Sequence, residues 1–495
     1  MRIGFDNDKY LEMQSEQIQK RIEKFGGKLY LEFGGKLFDD YHASRVLPGF
    51  LPDSKLRLLL KMKDKAEIVI VISAETIEQA KIRADLGITY DQDVFRLIDA
   101  FQAAGLYVGS VCLTHFDNSQ KKAKAFEKTL EKQGIKTYRH YVIKGYPYDV
   151  DTIVSDNGLG KNEYIETTRS LVVVTAPGPG AGKMATCISQ IYQDSKRGIK
   201  SGYAKFETFP VWNLPLKHPV NLAYEAATAD LDDINMIDPY HLEAYQIATV
   251  NYNRDIEIYP VLRRLFEKIF TMCPYLSPTD MGVNMAGYCI VDDKVCREAS
   301  RQEIIRRYLK ALIDFRNEKI SESTLRKIEG IMQENSISVN ERKCVQPCIE
   351  KANRLGQPVS CMELEDGTLI LGKNSTLLGA TSAMLLNALK HLAGISDKVL
   401  LLPPSVLEPV CRLKTHELGG HNPRLHVNEI LIVLSISALT NPLASLALEQ
   451  LDKLKGCQSH SSVILSQVDL DTLKKLGIDH TCQAKYETKK LYHAK

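Results

Sequence analysis

The stretch that decides the fold is Leu171-Val-Val-Val-Thr-Ala-Pro-Gly-Pro-Gly-Ala-Gly-Lys183, followed by Met-Ala-Thr-Cys-Ile-Ser-Gln-Ile-Tyr192. Its first six residues form an apolar run that is typical of a strand covered on both faces. After the glycines, apolar residues recur at helical spacing from Met184 to Tyr192. The sequence therefore predicts a strand, a glycine loop, a lysine and a helix in direct succession.

This order suits the binding of phosphate. Glycines let main-chain N–H groups approach an anion, and a helix N-terminus adds roughly half a positive charge. Lys183 would supply a full charge to the outer phosphates. A tight turn that only docks the helix onto the sheet is the alternative. The residues predicted to bind the cofactor are Gly178, Gly180, Gly182, Lys183 and Thr186.

The loop differs at two positions from the phosphate-binding pattern G-x-x-x-x-G-K-[ST]. Pro177 stands where the first glycine is expected, and Met184 stands where a hydroxyl residue normally ligates Mg²⁺. Thr186 lies two residues later, about 200° around a helix, so it cannot simply take that place. The pattern thus favours phosphate binding without specifying how a metal is held.

The residues after the loop resemble the P-loop domain of dethiobiotin synthetase and CTP synthetase. In those enzymes the second strand carries a lysine directed at the phosphates, and Ile199–Lys205 matches this strand, so Lys205 would assist. The resemblance implies ATP or a related nucleotide with Mg²⁺, whose carboxylate ligands would come from Asp230, Asp232 and Asp233. A solvated acidic loop is the alternative reading of these residues.

The fold class predicted around this loop is α/β with a mostly parallel sheet. Strand-like runs at Glu67–Ile72, Tyr107–Leu113 and Ile135–Val142 alternate with helical patterns at 91–104 and 118–133. From Asp238 to Asn335 the strand signal is lost, and a capping pattern at Ser300–Glu303 predicts the start of a helix. We predict an N-terminal α/β domain (1–237), a helical section (238–335) and a C-terminal α/β subdomain (336–495).

The C-terminal third is predicted to return to alternating strands and helices. Strands are expected at Thr368–Leu371, Lys398–Leu402 and Val463–Leu465, and a helix is expected at 376–392. A second candidate anion site precedes that helix at Gly372, Lys373 and Ser375, where backbone amides, a lysine and hydroxyls would meet at a helix N-terminus. Simple N-capping of the helix is the alternative.

A histidine-rich loop runs from Cys411 to His426. Its spacing is H-E-x-x-x-H, whereas zinc proteases place two histidines one helical turn apart in H-E-x-x-H. Gly419-Gly420 and Pro423 interrupt any helix here, so zinc is not expected. A polar loop that contacts an anionic small molecule is favoured. The candidate catalytic residues of the chain are Lys183, Lys205, His416, Glu417 and His421.

Composition narrows the class of partner. With 64 basic and 61 acidic residues the net charge is +3, too small to predict nucleic acid or an anionic membrane surface as a partner. The most apolar stretch, Ile430–Leu448, is broken by polar residues and is predicted to be a buried helix. Eleven cysteines without a C-x-x-C pair indicate reduced thiols and a cytoplasmic location. A small-molecule substrate is expected, and a homo-oligomer is left open.

Six strings together resemble one family of uncharacterised bacterial proteins of about this length, grouped under a domain of unknown function. Some members carry the label ATP-dependent zinc protease, which the histidine spacing does not support. The resemblance implies a cytosolic multi-domain α/β protein with a helical section and transfers no activity. The strings are Leu31–Lys36 (LEFGGK), Lys144–Asp149 (KGYPYD), Ala176–Lys183 (APGPGAGK), Ala204–Pro210 (AKFETFP), Asp280–Gly287 (DMGVNMAG) and Thr415–His421 (THELGGH).

These observations favour a nucleotide-dependent enzyme of the ligase, kinase or hydrolase class that acts on a small anionic metabolite. A non-catalytic protein that binds a nucleotide or metabolite is the first alternative, because Met184 occupies the Mg²⁺ position. A metal-dependent hydrolase centred on the C-terminal histidines is the second.

Overall fold

The computed structural model describes residues 2–34, 37–38, 40–83 and 86–488. Gly35 and Lys36, which end the first of the six strings, lie outside the described residues. By internal contacts the chain divides into an N-terminal unit, 2–225 with 233–297, and a C-terminal unit, 226–232 with 298–488. The division into 1–237, 238–335 and 336–495 stays a prediction.

The N-terminal unit is built on a seven-stranded sheet in the order β11-β8-β1-β7-β2-β5-β6, and all its pairs are parallel. Every residue of β1, β2 and β7 is buried, as expected of strands covered on both faces. The predicted α/β fold is therefore confirmed. The described strands of this unit are β1 (Leu29–Phe33), β2 (Ala66–Ser73), β3 (Ile82–Arg83), β4 (Ile88–Thr89), β5 (Tyr107–Phe116), β6 (Lys136–Tyr141), β7 (Leu171–Thr175), β8 (Gly202–Phe206), β9 (Asn235–Ile237), β10 (Val250–Tyr252) and β11 (Gly282–Val283).

Helices connect these strands. Two of them extend across a boundary between the units, Pro219–Ala227 at 225/226 and Asp293–Arg316 at 297/298. The apolar spacing predicted α5 and α6 correctly, since α5 buries one stripe that includes Val94, Leu97 and Phe101. The helices are α1 (Asn7–Lys24), α2 (Tyr41–Val46), α3 (Ser54–Lys61), α4 (Ala74–Glu78), α5 (Tyr90–Ala103), α6 (Lys121–Lys132), α7 (Val150–Ile153), α8 (Lys183–Lys196), α10 (Pro239–Tyr245), α11 (Asn253–Phe270) and α12 (Pro278–Met281), with α9 (Pro219–Ala227) and α13 (Asp293–Arg316) at the boundary.

Two details of the middle section differ from the prediction. Strands β10 and β11 lie within 238–335, and β11 joins the main sheet beside β8. Two- and three-residue strands are too short to produce an alternating pattern, which is why the sequence did not reveal them. Helix α13 begins at Asp293 rather than at Ser300, which is buried inside the helix.

The C-terminal unit contains a separate four-stranded sheet in the order β13-β12-β14-β15, in which only β14 and β15 are parallel. The predicted C-terminal α/β subdomain is confirmed. Its elements are β12 (Val359–Glu363), β13 (Leu369–Lys373), β14 (Gln458–Ser461), β15 (Asp479–Cys482), α14 (Glu322–Glu334), α15 (Val345–Leu355), α16 (Ala380–Leu392), α17 (Pro404–Arg412), α18 (Val427–Ser437), α19 (Pro442–Leu448) and α20 (Gln467–Lys475).

Four predictions for this unit were wrong in detail. Lys398–Leu402 and Val463–Leu465 are not strands, and the helix expected from 376 begins at Ala380. The segment at Leu401 and Leu402 has irregular backbone, but both side chains are buried in the core with residues of α16 and α18. This burial explains the apolar run that predicts a strand. Ile430–Leu448 forms two helices, α18 and α19, instead of one. No helix of the described chain has both the length and the apolar character needed to cross a bilayer.

Strand β14 carries a buried histidine that is expected to make stability depend on pH. Burial, together with the charges of His480 and Arg342, lowers the pKa of His460 to about 2. The unfolded chain binds a proton at this histidine below about pH 6.5, whereas the folded chain does not. Stability is therefore expected to fall as pH drops from about 6.5 towards 2, by up to about 1.4 kcal/mol per pH unit.

Urea unfolding at pH 7, 6 and 5 measures this effect. The His460→Gln variant is expected to lose stability less steeply with falling pH than the unsubstituted protein. His416→Gln, at an exposed histidine of the same unit, serves as the control and should leave the slope unchanged. Equal slopes for His460→Gln and the unsubstituted protein would contradict the assignment.

Candidate functional site

The main sheet has two points at which the chain leaves neighbouring strands in opposite directions. From the neighbours β7 and β2, the chain goes on to β8 in one direction along the sheet and to β5 in the other. From the neighbours β8 and β1, the next strands of this sheet are β11 in one direction and β2 in the other. In open α/β sheets, ligands bind outside the carboxyl ends of the strands at such points. The glycine loop follows β7, and the two candidate lysines, Lys183 and Lys205, lie after β7 and at the end of β8.

The glycine loop, residues 176–182, has a conformation that requires glycine. Gly180 and Gly182 have φ of +71° and +84°, values that side-chain-bearing residues rarely adopt. A Cβ at Gly178 would lie 3.0 Å from Cζ of Tyr90, so the loop packs directly on this ring. Thr114 of β5 donates a hydrogen bond to the carbonyl of Ala181 at 2.7 Å. The loop is thus held from β5 and α5.

Main-chain donors are available where the loop enters α8. Among the residues that the structure describes, the N–H groups of Gly180, Gly182, Lys183 and Met184 donate to no protein acceptor. Gly180 is exposed, and the other three residues are partly exposed. A 14-residue helix with open first-turn donors at a strand end can accept an anion.

Five charged side chains lie around the ends of β1 and β8 and the start of α8, and we call them the lysine–carboxylate cluster: Glu32, Lys183, Lys205, Glu207 and Asp255. Lys183 Nζ is 3.9 Å from Glu32 Oε1, at the end of β1. Lys205 Nζ is 2.8 Å from Glu207 Oε1 and also contacts the Asp255 carboxylate. Lys183 is therefore loosely paired, whereas Lys205 is held by two carboxylates.

Burial affects the two central members of the cluster differently. Burial by itself would lower the pKa of Lys205, but the nearby charges of Asp255, Glu207 and Glu32 raise it above its ordinary value. Burial and the charge of Asp255 raise the pKa of Glu207 above its ordinary value, against the opposing charge of Lys205. A carboxyl group with a raised pKa beside a fixed ammonium group is suited to transfer protons.

The other residues predicted around the loop are placed elsewhere. Thr186 is fully buried next to Cys112 of β5, so it does not face the open end of the loop. Asp232 contacts Lys327 in the C-terminal unit, whereas Asp233 pairs with Arg254 in the N-terminal unit. Across residues 2–34, 37–38, 40–83 and 86–488, no three His, Cys, Asp or Glu side chains are grouped to hold a metal ion. Magnesium at Asp230, Asp232 and Asp233 stays a prediction.

Sequence reasoning missed Glu32, Glu207 and Asp255. Glu207 could have been found, because it follows a predicted strand two residues after Lys205 and lies within one of the six strings. Asp255 comes from α11, some fifty residues later in the chain, and only the folded structure brings it to Lys205.

The second candidate anion site lacks a helix N-terminus. Helix α16 begins at Ala380, after Gly379, so residues 372–375 do not precede it directly. Gly372 packs against the backbone of α16, and Ser375 Oγ accepts a hydrogen bond from Leu378 N at 2.9 Å within a turn. Lys373 is exposed. Anion binding at Gly372, Lys373 and Ser375 stays a prediction.

The histidine-rich loop lies next to this segment, because Arg424 Nε donates to the Ser375 carbonyl at 2.9 Å. His416, Glu417 and His421 are all exposed. His426 Nδ1 lies 2.9 Å from Asp469 Oδ2, joining the starts of α18 and α20. The predicted loop is helical as far as Glu417, because α17 continues into a turn of π-helix at Leu413–Glu417. The described residues of these two segments form no metal centre.

The fold and this site define an α/β protein with a P-loop-like strand, glycine loop and helix at a divergence point of a parallel sheet. The chain belongs to the family described as domain of unknown function DUF1846. The model of the N-terminal domain matches residues 3–336, and that of the C-terminal domain matches residues 340–492. The family resemblance seen in the six strings is confirmed.

Curated relatives have the same extent as this chain. UPF0371 proteins of Streptococcus pyogenes serotype M5 (strain Manfredo) and serotype M18 (strain MGAS8232) are 55% identical over 490 residues, covering 99% of each chain. A UPF0371 protein of Streptococcus uberis is 55% identical over 491 residues with the same coverage. These names state no activity.

Proposed function

We propose that this protein binds a phosphorylated small molecule of the nucleotide type at the glycine loop and acts there on a small anionic metabolite. The observation that carries the proposal is the set of open main-chain donors from Gly180 to Met184, at the N-terminus of α8. Such donors bind phosphate oxygens and add the field of the helix.

The charges around the loop support this proposal. Lys183 is 3.9 Å from Glu32, beyond hydrogen-bond distance, so it can turn to a phosphate without losing a hydrogen bond. Lys205 is held by Glu207 and Asp255, so in this proposal it positions Glu207 instead of contacting the phosphates. Glu207, with its raised pKa, would exchange a proton with the metabolite.

One observation favours the non-catalytic alternative. Met184 offers a thioether where related loops offer the hydroxyl that ligates Mg²⁺, and hard cations prefer oxygen ligands. A protein that binds a nucleotide without turning it over needs no metal at this position. A cytoplasmic location belongs to either proposal and is supported by eleven free, buried cysteines.

Calorimetric titration with ATP, GTP and pyrophosphate, with and without Mg²⁺, tests the phosphate site. Lys183→Ala is expected to weaken binding at least about tenfold, because a charged hydrogen bond to phosphate contributes about 1.5–3 kcal/mol. Lys373→Ala, at an exposed lysine of the second candidate site, is the matched control and should bind like the unsubstituted protein.

Two outcomes would contradict the phosphate site: no binding of any of the three probes, or equal binding by Lys183→Ala and the unsubstituted protein. Loss of binding in Lys373→Ala alone would move the site to the C-terminal unit. Incubation with a nucleoside triphosphate and a metabolite mixture distinguishes the two proposals. An enzyme would release phosphate or nucleoside diphosphate, whereas a non-catalytic binding protein would not.

A further inference from the structure

Helices α18 and α19 expose an apolar stripe that nothing in the proposed function uses. The opposite side of these helices is buried in the core of the C-terminal unit through Ile430, Leu434 and Ala444. We call the exposed stripe the α18–α19 face. Its members, with their exposed fractions, are Ile432 (60%), Ile436 (63%), Leu439 (84%), Leu443 (40%) and Leu446 (40%).

The α18–α19 face continues onto a neighbouring loop. Asn441 Nδ2 donates to the Leu401 carbonyl at 3.3 Å, which places Leu400, 67% exposed, at the edge of the stripe. Residues 430–448 contain no charged side chain. The part of the surface formed by residues 430–448 is therefore both apolar and uncharged.

The size of the face is close to what a stable subunit contact needs. Six Ile and Leu residues, 40–84% exposed, present on the order of 600 Å² of apolar surface. Monomers rarely expose a larger apolar patch, and a standard interface buries about 800 Å² per partner. With a rim of polar residues such as Ser435 and Thr440, the face reaches that range.

We propose that the α18–α19 face is a two-fold interface with a second copy of this chain. A neutral face offers no charge to match a charged partner, whereas a two-fold axis brings it against an identical apolar surface. The charged residues that flank the stripe along the chain are Glu449 and Glu429, and Lys414 pairs with Glu429 at 2.8 Å. Because residues 430–448 carry no basic side chain, the stripe offers no charge to an anionic bilayer. The occupant that fits an uncharged apolar stripe is thus the same stripe of another subunit.

Sedimentation equilibrium of the full chain tests the proposal. Protein concentrations from about 0.1 to about 50 μM cover the dissociation constants of ordinary dimers. The unsubstituted protein is expected to form dimers. Ile436→Glu is expected to raise the dimer dissociation constant at least about 100-fold, because two unpaired carboxylates would be buried at one axis. Val142→Glu, at an equally exposed residue of the N-terminal unit, is the control and should remain dimeric.

A second variant distinguishes loss of the dimer contact from misfolding of Ile436→Glu. Leu439→Ser keeps the surface uncharged and is expected to weaken the dimer about tenfold while leaving the melting temperature unchanged, since Leu439 is 84% exposed. A monomeric unsubstituted protein at 50 μM would overturn the proposal. Dimers that survive both Ile436→Glu and Leu439→Ser would overturn it as well, and so would capture of monomers on neutral lipid vesicles.

Discussion

Gly372→Ala is expected to destabilise the C-terminal unit by about 3 kcal/mol, the upper end of the usual range for overpacking. Gly372 lies on β13 opposite Ser360 of β12, on a strand that packs against α16. An alanine Cβ would overlap the main-chain nitrogen of Met384 and the carbonyl of Ala380, and would lie 2.6 Å from Met384 Cα. Because these are backbone atoms, they cannot rotate away, and α16 would have to move off the sheet.

Chemical unfolding of the purified variant measures this loss. Gly330→Ala is the matched control, because a Cβ at this position of α14 would meet nothing within 4 Å. In a helix interior that change is expected to stabilise by about 0.5–1 kcal/mol. The two glycine-to-alanine changes are therefore expected to have opposite signs. A Gly372→Ala protein as stable as the unsubstituted one would show that α16 can shift at little cost.

Arg342→Met is expected to cost about 3 kcal/mol, the lower end of the range for breaking a buried ion pair. The Arg342 side chain is fully buried, with Nη1 3.4 Å from Asp479 Oδ2. Its Nη2 lies 3.3 Å from the Ser459 carbonyl and also contacts the carbonyl of Asp479, so it joins β14 to β15. Methionine fills similar space but donates nothing to these carbonyls. In the variant, the Asp479 carboxylate would still have the Arg306 guanidinium 3.7 Å away. This remaining partner limits the expected loss of stability.

The same variant has a second expected effect. The charge of Arg342 contributes to the lowered pKa of His460, so its removal should raise that pKa and make stability less dependent on pH. Unfolding at pH 7 and pH 5 measures both effects. Arg326→Met is the control, because its ion pair with Glu322 is exposed and should contribute less than about 1 kcal/mol. Equal losses for the two arginines would contradict the assigned role of Arg342.

The sequence predicted those elements whose apolar pattern is long. Strand β2 is eight residues and buried throughout, and α5 carries four buried apolar residues at helical spacing. Strand β14 was missed because its residues, Gln458-Ser-His-Ser461, are polar although three of them are buried. Its pairing to β12 and β15, not its side chains, places it inside the sheet.

The candidate site was predictable only where its residues are close in sequence. The glycine loop and Lys183 follow directly from the strand and helix patterns around them. The carboxylates of the lysine–carboxylate cluster come from β1, from the residue after β8 and from α11, and a one-dimensional pattern does not show that these segments meet. Where distant elements converge, spacing along the chain carries no information about distance in space.

Because the two units interleave along the chain, a single cut in the gene does not separate them. The C-terminal unit includes 226–232, and Asp232 of that segment contacts Lys327. A gene fragment cut between the two family domains, near residue 338, would retain the C-terminal sheet but would leave α14 behind. Helix α14 would stay with residues 229–231, against which it packs, and both would be separated from the rest of the C-terminal unit. The pieces that match the recognised domains are thus not the two compact units into which the chain divides.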